Sequence, residues 1–236
     1  MRPIELSPRL LALARQVTHG ARFADVGTDH ARLPVWLLEQ GVISSAVATD
    51  LREGPLDRAR QTAAKHRVTE RVSLRLGDGL APVAEGEADV IAIAGMGGDS
   101  IIAILSAAPW TKNGDCLLLL QPMTSVPDLR QWLSDNGYTI EREKLVQEDK
   151  LYQVLTVRGG RMEPLTPAET WIGRQTPGMV SPLRGAYIQQ MRQRVAATLE
   201  GLRRSSRAAD AEALPAVEGL LRELDERKKE WEMWQR

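Results

Sequence analysis

Residues 23–34 read FADVGTDHARLP, and the fold turns on how they are interpreted. A short apolar run ends at Asp25, one glycine follows at Gly27, then the Asp29-His30 pair, then the apolar face of a helix. Strand, glycine turn and helix start, in that order, form the ligand-binding corner of a doubly wound α/β sheet, where ligands lie outside the carboxyl ends of the strands. Gly27 lets the backbone approach a ligand closely, and the helix start offers free N–H groups.

The neighbouring sequence repeats this plan. Apolar runs at 22–26, 45–49, 72–76, 90–94 and 117–121 are continuous rather than alternating, as expected for parallel strands covered on both faces. Helical stretches at 30–40, 54–66, 99–107 and 126–136 separate them, which predicts a βαβ series. The runs 138–147 and 151–157, joined by Glu148-Asp149-Lys150, predict an antiparallel hairpin. Five parallel strands followed by such a hairpin is the ending of a class I methyltransferase sheet rather than of a plain dinucleotide-binding one.

Beyond this, residues 160–180 (GRMEPLTPAETWIGRQTPGMV) carry three prolines and several glycines and read as a linker. Two helical patterns follow. Tyr187, Met191, Val195, Leu199 and Leu202 share one stripe, and Leu214, Val217, Leu221, Leu224, Lys228 and Trp231 form a heptad seam. A polar break at 205–210 predicts an antiparallel helical hairpin. The expected domains are therefore a catalytic domain at 1–160 and a linker with a coiled-coil helical domain at 161–236.

Composition sets bounds. The 236 residues, 43% hydrophobic and 26% charged, allow one sizeable globular domain plus an appendage. No apolar run approaches the roughly 20 residues that cross a bilayer. The amino-terminal segment MRPIELSPRLLALARQ lacks a small-residue cleavage site, so a cytoplasmic protein without membrane contact is expected. Cys116, the one cysteine, sits in DCLLLL and reads as a buried structural thiol in a reducing compartment. Net charge is zero, yet residues 1–24 hold Arg2, Arg9, Arg15 and Arg22 against Glu5, and residues 181–207 hold six arginines, Arg192 and Arg203 among them, against Glu200. Arginine outnumbers lysine 25 to 6, which reads either as a codon preference or as phosphate recognition. The first carboxy-terminal helix is basic and the second acidic, so they pair charges with each other, or the first also offers arginines to RNA.

The strand ends carry the chemistry. A pyrophosphate cofactor asks for a G-x-G-x-x-G ladder that is missing here, which disfavours NAD; a ligand without phosphate, such as S-adenosylmethionine (SAM), asks less of the loop. Asp50 ends the second strand about 20 residues after the glycine, where an acid accepts from both ribose hydroxyls; the alternative is a helix N-cap. Leu51 follows it at the same strand end. Asp78 and Gly79, in LGDGL, are placed for an adenine amino group, or form a simple Asp-Gly turn. After Ala94, the cluster Gly95-Met96-Gly97-Gly98 ends the fourth strand where a methyltransferase puts its catalytic loop. Gln121-Pro122 ends the fifth and either faces a base edge or is a polar strand end before a helix-starting proline.

Taken together, LSPRL, ADVGTDHARLP, TD at Asp50, LGDGL, AGMGG and LQP resemble the bacterial tRNA (adenine-22-N1)-methyltransferase (TrmK) family, from near the amino terminus to about residue 158 and more loosely through the tail. The resemblance implies a Rossmann-like SAM-dependent catalytic domain with a coiled-coil tail, acting on N1 of an adenine in the tRNA D-loop. It departs from the family where Arg32 stands in place of a tyrosine and Met123 in place of an asparagine. The implied cofactor site comprises Asp25, Gly27, Asp29, His30, Asp50, Leu51, Asp78, Gly79, Ala94, Gly95, Met96 and Gly97. Asp29, Gln121 and Pro122 are the catalytic candidates: Asp29 to stabilise developing positive charge, Gln121 to orient the base edge. Arg9, Arg32, Arg192 and Arg203 are candidates for RNA contact, tRNA is the expected partner, and no metal is expected. A monomer is favoured over a dimer through the seam. The rival readings are a SAM-dependent methyltransferase on a non-RNA substrate and a non-catalytic SAM- or RNA-binding module.

Overall fold

The computed structural model describes residues 3–113 and 115–235; Arg2, counted above in the amino-terminal basic cluster, lies outside them. The chain divides into two compact units between Glu163 and Pro164.

In the first unit β1 (Phe23–Val26), β2 (Ala46–Asp50), β3 (Val72–Leu76), β4 (Val90–Met96), β5 (Leu117–Pro122), β6 (Tyr138–Gln147) and β7 (Leu151–Gly159) form one sheet in the order β3-β2-β1-β4-β5-β7-β6. The first five are parallel, and β7 runs antiparallel to both β5 and β6. Helices α1 (Pro8–Ala14), α2 (Arg32–Glu39), α3 (Glu53–Lys65), α4 (Gly98–Ala107) and α5 (Val126–Asp135) accompany the sheet. Successive strand residues enter opposite core layers, because side chains alternate across a sheet. Leu117 and Leu119 of β5 join Leu13, Phe23 and Leu37 in one layer. Leu118 and Leu120 join Ile101, Leu105 and Leu129 in the other. Burial on both faces explains why the runs are continuously apolar. Cys116 is buried beside β5, and burial pushes its thiol pKa up. Arg130 of α5, also fully buried, donates from Nη2 to Glu143 Oε2 of β6 at 2.7 Å.

Three local expectations are corrected. The helix after Gly27 starts at Arg32 rather than at residue 30, because Ala31 takes a left-handed conformation at φ 51°. The supposed linker holds a short helix, α6 (Pro167–Ile172), whose capping box joins Thr166 and Glu169 reciprocally. The polar break is narrower than expected, since α7 (Arg184–Arg204) ends and α8 (Ala208–Trp234) begins only three residues apart.

In the second unit α7 and α8 run antiparallel: Arg203 pairs with Glu218, Arg192 with Asp225, and Gly185 lies against Trp231. The stripe Tyr187, Met191, Val195 and Leu199 is buried, as are Leu224 and Trp231 of the seam. Segment 164–175 is fastened to the hairpin: Ala168 N donates to Glu223 Oε2 at 3.0 Å, and Tyr187 Oη donates to the Trp171 carbonyl at 2.9 Å. Pro215 lies inside α8.

Candidate active site

Gly27 closes the turn after β1 at φ +74°, and its N–H and that of Thr28 donate to the Thr49 carbonyl at 2.8 and 3.0 Å. These bonds tie the carboxyl ends of β1 and β2 together. A methyl group added at Gly27 would meet Met96 Cε, the movable end of a flexible side chain, so it is the positive φ rather than lack of space that favours glycine in this turn. Asp25 is buried one residue before the end of β1 and accepts from Thr28 Oγ1. Burial pushes its carboxyl pKa up to about 6; the Thr28 bond opposes the rise and the Asp50 charge adds to it. Asp50 Oδ1 accepts from Arg52 N at 3.0 Å, while the helix N-cap is Arg52. The N-cap alternative for Asp50 is thereby set aside. Gly79 turns at φ +53°, where an added Cβ would stand 2.8 Å from Ile104 Cγ1.

Two cavities meet over Gly27, which lines both. The larger, about 760 Å³, gathers Asp50, Leu51, Asp78, Gly79 and Met96. Leu51 at its wall is 66% exposed, an apolar surface on offer to a ligand. The smaller, about 470 Å³, gathers Asp25, Asp29, His30, Ala94, Gly95 and Gln121. Arg9 and Arg32 also reach its wall. Gly97 and Pro122 are not among the lining residues: Gly97 is the N-cap of α4, and the Pro122 carbonyl accepts from Gln121 Nε2 at 3.0 Å.

Gln121 is fully buried and its amide is committed at both ends. The β4–β5 register shifts between Ala94 and Met96, a bulge centred on Gly95 at φ +74°. A bulge leaves a backbone donor outside the ladder, and here Gly95 N donates to Gln121 Oε1 at 3.2 Å. The geometry thus makes Gln121 the support of the Gly95 bulge, in the wall of the smaller cavity. Arg9 Nη1 reaches the same oxygen at 3.5 Å and Met123 Sδ at 3.3 Å. Its guanidinium lies 5.4 Å above the Tyr152 ring, and its backbone N–H donates to Glu148 Oε2 at 3.2 Å.

Asp29 stands at the mouth, paired with Arg58 of α3, and its other oxygen is 3.4 Å from His30 Nε2. The Arg58 hydrogen bond holds the Asp29 carboxyl below the usual carboxylate range. Arg32 Nη2 donates to the Glu5 carbonyl at 2.7 Å. Arg192 and Arg203, in the second unit, pair with Asp225 and with Glu200 and Glu218. Sequence reasoning missed Arg58, Glu148, Tyr152 and Ser7, whose buried Oγ in the smaller cavity's wall has no hydrogen-bond partner among the described residues.

Comparison with known proteins bears on this arrangement. The methyltransferase domain family matches residues 6–155. The tRNA (adenine(22)-N(1))-methyltransferase of Bacillus subtilis (strain 168) is 38% identical over 161 residues, 68% of either chain. The crystal structure of the B. subtilis M1A22 tRNA methyltransferase TrmK superposes with a TM-score of 0.83 at 30% identity, over 94% of this chain and 99% of that one. Streptococcus pneumoniae Sp1610 in complex with S-adenosyl-L-methionine superposes with a TM-score of 0.77 at 35% identity, over 92% of this chain and 100% of that one.

Proposed function

This chain belongs to the tRNA (adenine-22-N1)-methyltransferase family, and from that premise we infer that it transfers the methyl group of SAM to N1 of adenine 22 in the D-loop of bacterial tRNA. What carries the assignment is the pair of cavities meeting over Gly27 at the strand ends, one suited to a cofactor and one to an acceptor base.

The residues of the larger cavity fit SAM. Asp50, with one oxygen on Arg52 N, keeps the other for the ribose hydroxyls. Asp78 accepts from the adenine amino group, and Leu51 covers the ring. The bare Gly27 turn lets the methionine part pass over the backbone into the smaller cavity, where Asp25 faces its ammonium group. Bound there, SAM supplies an electrophilic methyl group.

The chain's own task is access and alignment. Adenine N1 carries a lone pair at neutral pH, so no residue has to remove a proton before transfer. N1 is a Watson–Crick atom, and the base must be turned out of the tRNA to reach the smaller cavity. Gln121 fixes the Gly95 bulge at the cavity wall and so sets the path along which the base approaches. Such positioning contributes up to roughly 7–11 kcal/mol in intramolecular reference reactions. The product base is cationic, and Asp29, kept ionised by Arg58, stabilises that charge.

The finer points of the reading are a cytoplasmic monomer that works away from membranes. The tRNA substrate supports the location, and the packing of α7 on α8, which occupies Leu224 and Trp231 of the seam, supports the monomer. No helix among the described residues is long and apolar enough to cross a membrane.

The test is incubation with isotopically labelled SAM and unmodified tRNA, digestion to nucleosides and mass spectrometry. Labelled 1-methyladenosine, mapped to position 22 by a reverse-transcription stop, is the expected product. No label in any nucleoside, with SAM binding demonstrated by calorimetry, would leave a non-RNA substrate or a non-catalytic module.

A further inference from the structure

A second concave surface adjoins the acceptor cavity through a shared wall. It encloses about 450 Å³ between the amino-terminal segment and α3, and His30 and Arg32 line both spaces. On its α3 side stand Thr62, Lys65 and His66. With Arg58 they lie at i, i+4, i+7 and i+8, one stripe of the helix. Arg58 ends at Asp29 beside the acceptor cavity, and Lys65 stands about 10 Å further along the helix axis.

The polar side chains of this wall are engaged to different degrees. Arg58 is held by Asp29, and Arg32 by the Glu5 carbonyl. His66 Nδ1 lies 2.7 Å from Glu39 Oε1, with its side chain almost wholly buried. Lys65 is exposed, and its side chain makes neither ion pair nor hydrogen bond among the described residues. Glu5 is the single acid among the lining residues. The result is a polar, cationic recess with one uncommitted ammonium group, opening beside the chamber that receives the base.

We propose that this recess seats the phosphodiester next to adenine 22, with Lys65 and Arg32 on its non-bridging oxygens and the base turned past His30 into the acceptor cavity. The proposal rests on the tRNA methyltransferase reading above. A base rotated out of its stack pivots on its backbone, so the adjoining phosphate must be held while the base moves. Contacts to phosphate fix register and carry no sequence information, which suits a lysine, a compact point charge on a flexible stem. A free phosphate ion has no reason to lie beside the acceptor chamber, whereas a chain passing through that chamber has to leave it along one of its walls.

Two measurements decide. In methylation kinetics Lys65→Glu is expected to raise the KM for tRNA about tenfold with kcat and SAM affinity unchanged, and Lys65→Ala to lower the slope of log K against log salt by about 0.7–1. A tRNA with one neutral methylphosphonate beside adenine 22 is expected to bind wild type at least as weakly as normal tRNA binds Lys65→Ala. On that side of the base Lys65→Ala adds nothing to the cost of the methylphosphonate. An unchanged KM in Lys65→Glu and an unchanged salt slope in Lys65→Ala, in an enzyme that methylates adenine 22, overturn this assignment alone and leave a free anion or nothing in the recess. Absence of methyl transfer by the wild type overturns the parent reading and this proposal with it.

Discussion

Asp25 sits in a fully buried strand with its carboxyl withdrawn from water, and its pKa of about 6 has a stability consequence of definite sign. The unfolded chain releases this proton near pH 4 and the folded chain only near pH 6, so stability falls as pH rises across that window. The loss by pH 7 is about 3 kcal/mol. The Asp25→Asn variant is therefore expected to gain on wild type from pH 4 to 6 and to hold its advantage above, read as the denaturant midpoint at each pH. SAM affinity should move the other way, weakening in Asp25→Asn and, in wild type, as pH drops below about 6. At Gly27, alanine is expected to weaken SAM binding in calorimetry, because it carries left-handed strain of roughly 1–2 kcal/mol and obliges the Met96 side chain to swing aside. The acidic residues Asp25, Asp50 and Asp78 were legible because each ends or closely follows an apolar run. Arg58, Glu148 and Tyr152 were not, since the residues they meet, Asp29 and Arg9, lie far off in sequence: Arg9 N meets Glu148 across 139 positions.

At the scale of elements, the parallel strands were legible because burial on both faces leaves an unbroken apolar signature, and the terminal hairpin because three polar residues separate two β-rich runs. Helix α6 was not recognised, although its signal was present: Thr166, Pro167 and Glu169 spell a capping box that prolines and glycines nearby obscured. Thr166→Ala is expected to lower the stability of the second unit by about 1 kcal/mol, measured by thermal melting followed at 222 nm. The start of α2 was misjudged because the left-handed turn at Ala31 has no glycine to announce it. In α8, exposed Pro215 removes a backbone donor from the helix interior, so Pro215→Ala is expected to raise the melting temperature of the hairpin.

At the scale of the molecule, the two units divide the work proposed for the enzyme. Deleting residues 164–236 is expected to weaken tRNA binding while leaving SAM affinity intact; equal loss of both would make the second unit a requirement for folding instead. Most arginines of α7 are engaged within their own unit. Arg192, Arg203, Arg204 and the adjoining Arg207 pair with carboxylates of their own unit, and buried Arg184 donates to the Gly173 carbonyl. Arg194 makes no ion pair among the described residues, and Arg194→Ala is expected to reduce tRNA affinity where Arg192→Ala mainly loosens the hairpin. Composition cannot reveal this self-neutralisation, because it depends on which faces of two helices meet.

The lone thiol of Cys116, sealed in the core beside β5 and poorly ionised there, makes the molecule its own clock for opening. A maleimide that ignores the native protein reacts only when the sheet parts, so labelling speed times that event. SAM should slow the clock in proportion to its occupancy, while a dye placed on any engineered surface cysteine would remain the chain's one mark.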